Sequence, residues 1–94
     1  MIGIILVFLC LLSNAWAISY YFMEQGGIPS KFFCNSSTEW HNRAVLTSSI
    51  NALAEYDTFT VENYTFCIMG GVLVESELVG VTIYLDGTLV FSVD

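Results

Sequence analysis

Leu78–Val93 reads LVGVTIYLDGTLVFSV, and the fold turns on how Asp86-Gly87 within it is read. β-branched and aromatic runs flank the dipeptide on both sides. Asp-Gly between such runs predicts a two-residue hairpin, because both central positions of the favoured turn need positive φ. In that register Leu85 faces Thr88, Tyr84 faces Leu89 and Ile83 faces Val90. One face then carries Val81, Ile83, Leu85 and Val90, and the other carries Tyr84, Leu89, Phe91 and Val93. Both faces are apolar, whereas a hairpin wet on one side alternates. The hairpin is therefore expected to be covered on both sides, by a second sheet and by a partner or another element.

Working outward, Thr58–Val61, Tyr64–Met69 and Val72–Val74 also read as strands by their β-branched and aromatic content. Gly70-Gly71 marks a turn or bulge, and Glu75-Ser76-Glu77 is a polar break. Ile18–Met23 (ISYYFM) reads as the first strand. Gln25–Ser30 reads as a loop on Gly and Pro grounds. Lys31–Asn35 reads as a short strand and Ser36–Asn42 as a polar loop holding Trp40 and His41. Arg43–Tyr56 has two readings. Leu46, Ile50 and Leu53 recur at helical spacing, which predicts a short helix. Thr47, Ser48 and Ser49 weaken that propensity, leaving a strand at Ala44–Thr47 and a loop as the alternative.

Met1–Leu12 (MIGIILVFLCLL) carries no charge and is short for a membrane span, which needs roughly 20 apolar residues. With Ala15 and Ala17 at the two small positions it fits a secretory signal peptide over residues 1–17, cleaved between Ala17 and Ile18. No Lys or Arg precedes the apolar run. The competing reading is an uncleaved anchor, the one route to membrane association. A single β-rich domain over residues 18–94 would remain.

Cys10 would leave with the signal, so Cys34 and Cys67 form an even pair in an oxidising lumen and are expected to bond. Closing that loop would stabilise a small domain by roughly 3–4 kcal/mol. A zinc site would need a carboxylate beside these two cysteines and His41, and no Cys-x-x-Cys is present. Asn35-Ser36-Ser37 and Asn63-Tyr64-Thr65 match the N-glycosylation pattern, so Asn35 and Asn63 are expected to face solvent. Asn63 shares strand parity with Cys67, a conflict that a bulge or a turn at Asn63 would resolve.

Two basic and nine acidic residues give a net charge of −7, which disfavours binding to phosphate backbones. An apolar content of 55% excludes intrinsic disorder. No nucleophile–base pair, phosphate-binding glycine loop or calcium-loop pattern is present, so no catalytic, cofactor or metal residue is expected. The nine acids are scattered, and most of them read as solvated loop and turn positions, with Glu75 and Glu77 on one strand parity guarding an edge against aggregation.

Gly26–Thr38 (GGIPSKFFCNSST) and Val79–Phe91 (VGVTIYLDGTLVF) resemble parts of the N-terminal region of alphacoronavirus spike proteins. Asn63–Cys67 (NYTFC) is similar to a stretch of the small immunoglobulin-like accessory glycoproteins of coronaviruses. These resemblances imply a virus-encoded secreted or surface glycoprotein of β-sandwich type, immunoglobulin-like or galectin-like. The sequence expectation is an all-β sandwich with one disulfide and room for one short helix, following a cleaved signal. Its expected role is to bind another protein, with a host factor one candidate, in the secretory lumen or after secretion. The alternatives are a structural subunit whose hairpin completes a neighbour's sheet, a remnant of a larger surface domain and, most distantly, a small lumenal enzyme.

Overall fold

The computed structural model describes residues 17–31 and 34–93. The elements run β1 (Ser19–Tyr21), α1 (Phe22–Gln25), α2 (Ser36–Asn51), β2 (Thr58–Val61), β3 (Thr65–Met69), β4 (Thr82–Leu85) and β5 (Thr88–Ser92). This overturns the expected all-β sandwich, immunoglobulin-like or galectin-like. Of the described residues 27% are helical and 28% lie in strands, and every strand pair among them is parallel. The expected signal peptide lies, up to residue 16, outside the described residues. So do Phe32 and Phe33 of the expected Lys31–Asn35 strand.

The central correction concerns Asp86-Gly87. Instead of reversing the chain, the dipeptide lets it run on from β4 into β5. Neither residue has positive φ, so the turn geometry that predicts a hairpin is not used. Gly87 meets a different demand. A Cβ there would overlap the carbonyl oxygens of Glu62 and Tyr64 on the neighbouring run. Glycine permits that close backbone approach. Asp86 and Gly87 both donate to the Val61 carbonyl (2.9 and 3.2 Å), and Thr88 donates to that of Tyr64 (2.9 Å).

Two bent runs therefore lie side by side. In the first sheet, ordered β1-β2-β4, Phe59 pairs with Ile83 and Val61 with Leu85. In the second, Phe66 pairs with Leu89 and Ile68 with Phe91. Between the sheets, Glu62-Asn63-Tyr64 lies opposite only Asp86-Gly87. That extra residue on one side has the character of a bulge and bends both runs together.

Parallel pairing requires the chain to return to the same end of the sheet each time. From β1 to β2 the return contains α2. From β3 to β4 it is residues 70–81, which hold no regular element. The expected Val72–Val74 strand is thus irregular chain. Asn51 pins this return, because its Oδ1 accepts from the Glu75 and Ser76 amides (2.7 and 3.0 Å) and its Nδ2 donates to the Leu73 carbonyl (2.9 Å). Gly80, at φ +65°, lets the Tyr56 ring lie against its backbone.

The helical reading of Arg43–Tyr56 is correct in type but misplaced in span. The helix begins at Ser36, so the expected polar loop at Ser36–Asn42 is its first half. Asn35 is its N-cap, with Oδ1 accepting from the Ser37 and Thr38 amides (3.0 and 3.4 Å). Glu39, Asn42, Leu46 and Ile50 are the buried positions. Asn42 is fully buried and bonded three times, to the amide and carbonyl of Ile28 and to the Cys67 carbonyl. It supplies side-chain partners to the irregular segment at Ile28, which has no strand or helix to pair its backbone.

The core gathers Phe22, Leu46, Ile50, Leu53, Phe59, Val61, Phe66 and Ile68. Phe22 packs on Phe66 and Phe59 at ring-centroid distances of 4.8 and 6.1 Å. Burying each such side chain contributes roughly 1.5–3 kcal/mol before entropy. A Cys34–Cys67 disulfide (Cα–Cα 5.7 Å) ties the chain before α2 to β3.

Candidate functional site

The unreversed passage through Gly87 regroups the side chains of the last run. Strand side chains alternate faces with a period of two. Ile83, Leu85, Leu89 and Phe91 therefore share one face, while Thr82, Tyr84, Asp86 and Thr88 share the other. The expected grouping, with both faces apolar, follows only from a hairpin. The actual run has one apolar and one largely polar face.

The apolar face is incompletely covered. Helix α2 packs chiefly on β3, so the outer run β4–β5 projects beyond it. Ile83, Leu85 and Phe91 are 47%, 56% and 52% exposed. They form one wall of an apolar pocket of about 220 Å³, with Leu46 and Ile50 of α2 opposite and Val72 and Val74 of the return segment at its rim. No polar atom lines it. Parallel sheets are nearly always covered on both faces, so this partly exposed apolar face is the candidate site.

The same run is also an edge. β4 ends the order of the first sheet, and β5 pairs only with β3. Its outward backbone groups thus lack strand partners among the described residues, the arrangement onto which a further strand can add.

The other sequence-selected residues are dispersed. Asn35 is exposed at the start of α2 and Asn63 is exposed in the bend before β3, so the parity conflict with Cys67 does not arise. Cys67 is buried and Cys34 is exposed. Ala17 and Ile18 lie at the start of the described chain, ahead of β1. His41 Nε2–H donates to the Gly26 carbonyl (2.8 Å), and Arg43 lies over the Trp40 ring at 5.3 Å. Both are structural contacts of α2. Among the described residues no group of three His, Cys, Asp or Glu side chains could hold a metal ion, and no helix is long and apolar enough to cross a membrane.

Asp57 is an exception to the reading of most acids as solvated. It is 2% exposed and caps two backbone amides, those of Ala54 and Ile18 (2.8 Å each). Glu39 is buried as well. Acidic residue type alone did not distinguish these two from the surface acids. The pocket was missed because the hairpin reading divides its wall between two faces.

No protein-family model, curated protein or solved structure matches this chain.

Proposed function

We propose that this chain is a disulfide-bonded glycoprotein of the secretory pathway that binds another protein along β4–β5. The observation that carries the reading is the half-exposed apolar wall of Ile83, Leu85 and Phe91 beside a strand edge with no strand partner among the described residues. A partner strand can satisfy the edge while its side chains enter the pocket, the two elements of strand-addition recognition. The lumenal setting rests on the apolar leader, the Ala15/Ala17 pair, the two sequons and the cysteine pair. The coronavirus-like patches carry no part of this reading, and it involves no catalytic step.

A photo-crosslinking residue placed at Tyr84, and separately at Ser48 on the outer side of α2, tests the surface in cells that make the protein. Adducts are expected from position 84 and not from 48. They should disappear when Leu85→Lys and Phe91→Lys are added. Equal adducts from both positions, or none from either, would overturn the reading.

The same free edge supports a second arrangement, a structural subunit whose neighbour's strand extends the sheet. Light scattering of the secreted protein separates the two. A monomer that captures a different chain fits the first, and a homo-oligomer dissociated by Leu85→Lys fits the second.

A further inference from the structure

Asp57 holds a nearly buried carboxylate whose described hydrogen-bond donors are neutral backbone amides. Burial of a charge without a counter-charge is costly. One of those donors is the nitrogen of Ile18, 2.8 Å from Asp57 Oδ1. Its position is fixed twice over, since the Ile18 carbonyl accepts from the Thr58 amide at 2.9 Å. Ala17 is exposed and Ile18 half-exposed, so the bond joining them lies at the surface.

We propose that the α-ammonium released at Ile18 by signal cleavage is the counter-ion of Asp57. This rests on the secretory reading above. Hydrolysis breaks the Ala17–Ile18 peptide bond. The water oxygen stays on the Ala17 carboxylate, and both water protons go to the Ile18 nitrogen, giving the ammonium. With an ordinary value near 7.7–8.0, that amine carries a positive charge at neutral pH. Processing thus replaces a neutral donor with a charged one at the same place, and charge-assisted hydrogen bonds are roughly twice as strong as neutral ones. Asp57 also accepts from Ala54 at the turn after α2, and its carbonyl accepts from Thr82 at the head of β4 (3.2 Å). The new amino terminus would therefore fasten β1, the α2–β2 turn and β4 at one point.

Residues 18–94 contain every described element, so the test uses this chain, oxidised, with Ile18 as its first residue. The comparison is the same chain N-acetylated, which retains a donor amide and lacks the charge. The free-amine form is expected to melt higher by roughly 4–8 °C. Lys31 is the one lysine, and it is exposed. It serves as an internal standard for amine acylation near pH 7, where an unpaired α-amine labels faster than a lysine. The folded chain is expected to label at Lys31 before Ile18. Equal melting temperatures, or faster labelling of Ile18, would overturn the ion pair. Amino-terminal sequencing of secreted protein tests the cleavage separately: a start other than Ile18 removes that reading and the proposal's premise with it.

Discussion

At the scale of single residues, the chain depends on backbone approaches and buried polar contacts that residue type does not announce. Gly87 is the sharpest case. In a two-residue hairpin Asn would serve nearly as well as Gly, because Asn tolerates positive φ. In the observed bend any Cβ meets the carbonyls of Glu62 and Tyr64. Gly87→Asn is thus expected to destabilise residues 18–94 by about 1–3 kcal/mol, the usual cost of overpacking, in guanidinium unfolding. A loss near zero would favour the hairpin. Asn42 was invisible in the sequence because a polar residue at a helical core position reads as surface. Its three hydrogen bonds satisfy a loop and a strand at once. Asn42→Ala is expected to cost about 2–3 kcal/mol, since it removes a fully buried side chain that bonds the Ile28 amide and carbonyl and the buried Cys67 carbonyl. A change below half a kcal/mol would show that the loop finds other partners.

Among the elements, α2 was half legible. Leu46 and Ile50 gave its spacing, but Glu39 and Asn42 replace apolar residues in its first two turns and hide the periodicity there. Its start carried a signal of another kind. Asn35, selected as a glycan acceptor, is also the residue type that caps helices. The two roles use different atoms: Oδ1 accepts the cap hydrogen bonds, and a glycan attaches at Nδ2. Asn35→Asp should therefore remove one glycan and keep the cap, whereas Asn35→Ala removes both. Once enzymatically deglycosylated, the Ala variant is expected to be less stable than the Asp variant by about 1 kcal/mol. Equal stabilities would mean the cap contributes nothing. β2, β3 and β5 were legible from their composition, and only their partners were not. Strand composition is local, while pairing between runs so far apart is decided by the return segment that Asn51 holds. Val81, Ile83, Leu85, Leu89, Phe91 and Val93 alternate with mostly polar residues straight through Gly87. That period was the one signal in the sequence against reversal at Asp86, and turn chemistry outweighed it.

For the molecule as a whole, a small core, a disulfide and an incompletely covered sheet belong together. Domains of this size have a stability margin of about 5 kcal/mol, and the Cys34–Cys67 bond spans 33 residues. Its loss would remove roughly 3–4 kcal/mol. Cys67→Ser is expected to cause retention in the lumen, while Cys10→Ser, within the expected signal, leaves the secreted product unchanged. Efficient secretion of Cys67→Ser would show that the disulfide is dispensable. The proposed binding surface depends on β4–β5 running parallel to β2–β3, with its outer edge unpaired among the described residues. Backbone nuclear Overhauser contacts in the isotope-labelled protein read that pairing directly. The account predicts contacts joining Phe59 to Ile83 and Cys67 to Val90; contacts joining Ile83 to Val90 instead would contradict it.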